Sequence, residues 1–178
     1  MTEKIIIAGA GGQGIMLLGK VLTLAAMKEG KFVTWLPAYG AEVRGGAAHC
    51  MVIISDSEIS SPYIEKSDSA IIMNKQSLEK FKTRIIKGGL LVLNSSLADA
   101  DCGKKLRVAK FPFTEIAQEL GNVKTANMIA LGCFLGIKKI VGVKSVIETI
   151  EEIAPSDKKG LIEINKHALS KGVDLKND

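Results

Sequence analysis

The stretch IIIAGAGGQGIMLLGKVL, residues 5–22, constrains this chain more than any other part of it. Gly9, Gly11 and Gly14 follow the spacing G-x-G-x-x-G, after an apolar run of strand character and before one of helical character. A turn of this kind aims backbone N–H groups toward the start of a helix, where an anion is welcome. It commits the N-terminal part to a strand–turn–helix unit, the building block of a layered α/β domain.

A complete dinucleotide fingerprint needs one thing more. An acidic residue should close the second strand and bind the ribose hydroxyls. Here that strand ends VTWLPAYG, and the first carboxylate after it, Glu42, lies beyond Pro37. Arg44 comes later still in the loop. The sequence therefore disfavours NAD(P), and a glycine turn that only packs the first helix on the sheet stands beside any ligand role.

The rest of the chain alternates strand and helix patterns, which predicts an α/β, three-layer, Rossmann-like fold with a mostly parallel or mixed sheet. KIIIAG, KFVTWL (stopped by Pro37), AAHCMVIIS, SAIIM, GGLLVL and LRVAKFPF read as strands, with a short EIS return expected as a hairpin after the third. Helices are expected after the glycine turn, closed by Gly30, and around NKQSLEKFKTRI. A short helix EIAQELG capped by Thr114 should follow, then an apolar helix near 124–137 whose glycines suit close packing. SVIETIEEIA, with Ser145 and Glu148 at capping-box spacing and Pro155 as terminator, and LIEINKHALSKG, capped by Gly172, complete the set. Neither repeat nor linker interrupts the pattern, so residues 1–178 read as one domain.

Composition narrows the function classes. With 24 Lys+Arg against 19 Asp+Glu the net charge is +5, yet the basic residues are scattered and do not interleave with aromatics as nucleic-acid binding requires. Solvated faces and an acidic protein partner are the better reading. Cys50, Cys102 and Cys133 are far apart, which suits reduced thiols in a cytoplasmic chain and falls short of the thiolate set of an iron–sulfur cluster. His49 and Cys50 are strand neighbours whose side chains point to opposite faces, a poor chelate for zinc. No metal site is expected. The apolar run 5–27 is broken by Gln13, Lys20 and glycines, so no membrane span is expected either.

GAGGQG follows the first strand and PAYGAEVRGG the second, so the two loops should meet outside the carboxyl ends of the strands. That edge would present backbone amides, the Gln13 amide, the Tyr39 ring, the Glu42 carboxylate and the Arg44 guanidinium. It contains no nucleophile–base pair. It reads as a surface that grips an anionic group or a protein, beside the plainer reading of a crossover loop with an internal Glu42–Arg44 pair.

Taken together, GAGGQGIMLLGKVL, TWLPAYGAEVRGGAAHCMVIIS and EISSP, in that order and separation, resemble the gamma subunit of 2-oxoacid:ferredoxin (or other acceptor) oxidoreductases. The chain is similar as well to the smaller subunit of indolepyruvate oxidoreductase. The resemblance covers nearly the whole chain and implies a non-catalytic subunit, inactive alone, of a complex that decarboxylates a 2-oxoacid such as 2-oxoglutarate or pyruvate to its acyl-coenzyme A. It further implies alpha, beta and delta-type partner subunits, thiamine diphosphate and iron–sulfur clusters held by them, ferredoxin or a similar carrier as acceptor, and help in admitting coenzyme A. Carried onto this sequence, Gly11, Gly12, Gln13 and Gly14 form the turn, and Tyr39, Glu42, Arg44, Gly45 and Gly46 the partner- or cofactor-facing loop. The alternative is a free-standing nucleotide-binding module.

Overall fold

The computed structural model describes residues 1–39, 47–99, 105–154 and 159–175. Its centre is a six-stranded sheet in the order β2-β3-β1-β4-β5-β6, formed by β1 (Thr2–Ala10), β2 (Phe32–Tyr39), β3 (Ala47–Ser55), β4 (Ser67–Ile72), β5 (Ile85–Asn94) and β6 (Arg107–Phe111). β1, β4, β5 and β6 run parallel, while β3 runs antiparallel to both β1 and β2. The sheet is therefore mixed, with β3 wedged between the first two strands in the chain. Ile5, Ile6, Ile7 and Ala8 of β1 are all fully buried, because helices cover both faces of this central strand.

One face carries α1 (Ile15–Lys28), α3 (Phe113–Glu119), α4 (Ala126–Lys138), α5 (Val143–Ile153) and α6 (Lys159–Val173) over Ile5, Ile7, Cys50 and Val52. The other carries α2 (Lys75–Phe81), with Ile64 and Ala98, over Ile6, Ala8, Met51 and Ile53. α4 is buried along most of its length, and a glycine on each helix lets α6 approach: a Cβ on Gly132 of α4 would overlap the Leu169 carbonyl, and one on Gly172 of α6 would overlap that of Ile129. Among the described residues no helix is long and apolar enough to cross a membrane.

Several local expectations give way to tertiary context. Pro37 does not stop β2; the strand runs on to Tyr39, because β2 lies at the edge of the sheet and a missing N–H is tolerated there. No EIS return strand forms. Asp56 instead ends β3 by pairing with Lys31 at 2.6 Å and with the Met1 ammonium at 2.6 Å. Thr114 sits within α3 rather than capping it, its hydroxyl accepting from Asn94 Nδ2 at 2.9 Å. Ser145 likewise lies inside α5, which starts from Gly142 because the Gly142 N–H donates to Glu29 Oε1 at 2.7 Å. Gly172 is a buried packing position of α6, not its cap. Pro155 lies outside the described residues.

Candidate functional site

From β1 the chain passes through α1 to β2 on one side of the sheet; from β4 it passes through α2 to β5 on the other. The connections part between the carboxyl ends of β1 and β4, and open α/β sheets bind ligands in the crevice left at such a point.

Gln13 builds the β1 side of that crevice. Its backbone N–H donates to Ala10 O at 3.2 Å, its Oε1 accepts from the Ala10 N–H at 2.7 Å, and its Nε2 donates to Met73 O at 3.3 Å, just past β4. The Gln13 amide is thus spent on closing the turn rather than offered at the edge. Asn94, the buried last residue of β5, donates from Nδ2 to the same Met73 oxygen at 3.3 Å, and its Oδ1 accepts the Thr114 N–H at 3.3 Å. One carbonyl has lone pairs for both donors. A chain of side-chain amides therefore runs along the edge from β1 across β4 and β5 to α3.

The glycines let the turn fit this frame. Gly12 has φ +89° and Gly14 φ +71°, both in the left-handed region. A Cβ on Gly9 would lie 2.6 Å from Gln13 Oε1 and 2.7 Å from Ile15 Cδ1, and one on Gly14 would overlap Asn127. Gly12 has open space around it, so only its backbone conformation favours glycine. Gly14 is the N-cap of α1 and offers no side-chain cap, and no acidic residue occupies the first turn. The N–H groups there have no intrahelical acceptors and keep their partial positive charge.

Beside the turn opens a crevice of about 170 Å³, lined by Gly12, Gln13, Met73 and Thr114 together with Lys124 and Ala126. Leu97 and Val123 flank it and are 46% and 48% exposed, large apolar side chains left open to solvent at a concave place. The Lys124 ammonium can meet an anionic group here, and Leu97 and Val123 an apolar one. Sequence reasoning missed Leu97, Thr114, Val123 and Lys124. They come from segments after β5 and β6, which no short motif connects to the glycine turn.

The other half of the expected site is only partly described. Tyr39 is the last residue of β2, while Glu42, Arg44, Gly45 and Gly46 lie outside the described residues. The two loops do leave the sheet on the same edge, but Ala10 pairs with Ala47 and Tyr39 with Ala48, so the start of β3 stands between them. The second strand consequently ends one strand further from the turn than in a dinucleotide fold, about 4.8 Å of extra separation.

The metal question turns on strand geometry. Cys50 and His49 point to opposite faces: the Cys50 thiol lies 3.9 Å from Ile15 O, while the His49 ring centroid is 4.9 Å from that of Phe81. Burial pushes the Cys50 and Cys133 thiols up to about 12, leaving them protonated and weak as ligands. His49 is held below its ordinary value by burial, and further by Lys80 and Arg84. Among the described residues no three of His, Cys, Asp and Glu gather as a metal site.

A sequence model of the pyruvate ferredoxin/flavodoxin oxidoreductase family matches residues 4–175. Ketoisovalerate oxidoreductase subunit VorA of Methanothermobacter marburgensis is 35% identical over 173 residues, covering 96% of this chain and 36% of that one. The chain thus spans about a third of that relative's length. 2-Oxoglutarate synthase subunit KorC of Methanocaldococcus jannaschii is 35% identical over 179 residues, 98% of this chain and 94% of that one. Among solved structures, the gamma subunit of a keto/oxoacid ferredoxin oxidoreductase from Geobacter sulfurreducens PCA superposes with a TM-score of 0.86 at 26% identity, over 98% of this chain and 96% of the other.

Proposed function

The chain belongs to the pyruvate ferredoxin/flavodoxin oxidoreductase family, and from that premise we propose that it is the gamma-type subunit of a cytoplasmic 2-oxoacid:acceptor oxidoreductase complex. The complex converts a 2-oxoacid and coenzyme A into acyl-coenzyme A and carbon dioxide, passing two electrons to ferredoxin or a similar carrier. The observation that carries the reading is a family match over nearly the whole chain, joined by a relative of almost equal length that is itself named as a subunit.

This chain does none of the bond-breaking. Thiamine diphosphate and iron–sulfur clusters supply the carbanion and electron-transfer chemistry, and they sit in alpha, beta and delta-type partners. Among the described residues the two cysteines, Cys50 and Cys133, are buried neutral thiols, which suits that division. What the chain contributes is a shaped crevice. Lys124 attracts the phosphates of coenzyme A, and Leu97 and Val123 give its apolar parts a surface. The loop 40–46, with Glu42, Arg44, Gly45 and Gly46, carries the contact to the partner subunits, and Tyr39 anchors it to β2. Residues 1–178 act as one gamma domain in this assignment.

A free-standing NAD module is the weaker reading. β3 separates the β2 end from the glycine turn, and no acidic residue stands at that strand end to take the ribose. Co-expression with the neighbouring reading frames tests the assignment. Recovery of a brown, multi-subunit complex with coenzyme A-dependent 2-oxoacid oxidation is expected, together with a colourless, inactive isolated chain. A lone chain that binds NAD with a dissociation constant near about 1 µM, roughly −8 kcal/mol, would reverse the ranking.

A further inference from the structure

The face that carries α2 holds a concentration of positive charge that the oxidoreductase assignment does not use. Residues 75–88 contain Lys75, Lys80, Lys82, Arg84 and Lys87 against a single carboxylate, Glu79, and Lys66 joins them in space by donating to Thr83 O at 2.9 Å. Among the described residues none of these six cations is in a salt bridge, so their charge is not cancelled by a paired carboxylate.

Two of the cations are held in place without being neutralised. Arg84 donates to the backbone carbonyls of Glu65 and Ile64, which fixes the guanidinium and leaves its charge intact. It lies 5.5 Å from the Tyr63 ring centroid and 5.7 Å from that of Phe81, and Lys80 is 5.3 Å from the Phe81 centroid. Tyr63 and Ile86 stay exposed beside them. Burial lowers the basicity of His49 first, and the charges of Lys80 and Arg84 lower it further.

We propose that the α2 face, centred on Lys80, Lys82, Arg84 and Tyr63, docks a separately diffusing protein through a carboxylate-rich surface on that protein. An exposed Tyr with an Arg stacked on it is the composition of an interface anchor. Permanent subunit contacts are apolar and poor in lysine, whereas exposed lysines around a small aromatic centre suit a partner that comes and goes. Tyr63 alone gives no stacking platform for a single-stranded nucleic acid. The inference stands on this face alone and is independent of the coenzyme A crevice.

The test uses the full chain and fluorescently labelled poly-L-glutamate, with anisotropy read at low and at moderate salt. Lys80→Glu/Lys82→Glu should weaken binding by about tenfold or more, as two exposed attractions become repulsions. Lys20→Glu/Lys171→Glu, an equal charge change elsewhere, should stay within about twofold. Lys80→Gln/Lys82→Gln gives a milder loss and serves if the charge reversal impairs folding. Equal weakening by both reversals overturns the proposal, as does a wild-type chain that does not bind. Tighter binding of a DNA duplex of matched charge overturns it in favour of a nucleic-acid face. Loss of complex assembly in the Lys80→Glu/Lys82→Glu variant overturns it in favour of a permanent subunit contact, whereas assembly with weakened probe binding supports it.

Discussion

Asn127 of α4 donates from Nδ2 to the carbonyl oxygen of Gly14 at 3.1 Å, tying the second helix after the last strand to the turn after the first. Asn127 is buried, and its Oδ1 accepts the N–H of Met128 at 2.9 Å, so its amide is engaged at both ends. The clamp works only because residue 14 has no side chain, since a Cβ there would occupy the position of the Asn127 amide. The glycine turn is therefore held by two side-chain amides, Gln13 from within and Asn127 from above.

The first prediction separates two glycines that look equivalent in the motif. Gly14→Val combines overlap with Asn127 and a β-branched residue at φ +71°, and should cost about 3 kcal/mol or more. Gly12→Ala meets open space and bears only the strain of φ +89°, about 1 kcal/mol. Urea unfolding of both variants checks the order. Equal losses would contradict the clamp.

Gln13 gives the second. Gln13→Ala strips the Ala10 N–H of its side-chain acceptor and leaves Met73 O with Asn94 Nδ2 as its one side-chain donor, a loss of about 1–2 kcal/mol. Gln13→Glu keeps the acceptor for Ala10 but sets a charged oxygen against the Met73 carbonyl, acceptor to acceptor, so its loss should be at least as large. Hydrogen exchange across residues 10–14 should accelerate in both variants, and profiles identical to wild type would rule out the bracing role.

Asp56 supplies the third, a dependence on pH. The hydrogen bond from Lys31, joined by that from the Met1 ammonium, holds its carboxyl at about 2 instead of the usual 3.8. A carboxyl depressed on folding adds stability that is fully present above its unfolded value. That stability is lost as pH falls from 3.8 toward 2. Asp56→Asn should flatten this part of the curve of Tm against pH while leaving the slope above pH 5 alone. A wild-type slope in the variant would assign the acid sensitivity to other carboxylates.

The strand–turn–helix opening, the strand content and the close-packed glycines of α4 were legible because each depends on a local pattern. Pro37, Thr114, Ser145 and Gly172 misled because edge position, a buried Asn94, a Glu29 side chain and a facing helix decided their roles, all of them distant in sequence. The antiparallel insertion of β3 was hidden for a related reason. A buried strand has the same apolar pattern in either direction, and only its neighbours fix which way it runs. The turn half of the candidate site could be read from its motif, but the crevice wall could not. Leu97, Val123 and Lys124 are ordinary loop residues until the sheet brings them to one edge.

The last prediction divides the crevice from the partner loop. Lys124 is exposed and makes no side-chain hydrogen bond or ion pair among the described residues, so Lys124→Ala should leave folding and subunit assembly unchanged. If the crevice takes coenzyme A phosphates, losing one cation removes binding worth about 1–2 kcal/mol, seen as a five- to thirtyfold rise in the apparent KM for coenzyme A at unchanged kcat. Lys124→Arg should recover most of it. Arg44 is assigned the opposite phenotype. As a planar five-donor cation in a glycine-flanked loop, it suits bidentate pairing with a partner carboxylate. Arg44→Ala should speed dissociation of the complex by an amount corresponding to about 2–5 kcal/mol, and leave the KM for coenzyme A intact once the subunit is saturating. The paired measurement is complex affinity followed by steady-state kinetics. A coenzyme A effect from Arg44 with none from Lys124 would move the ligand from the switch-point crevice to the segment after β2.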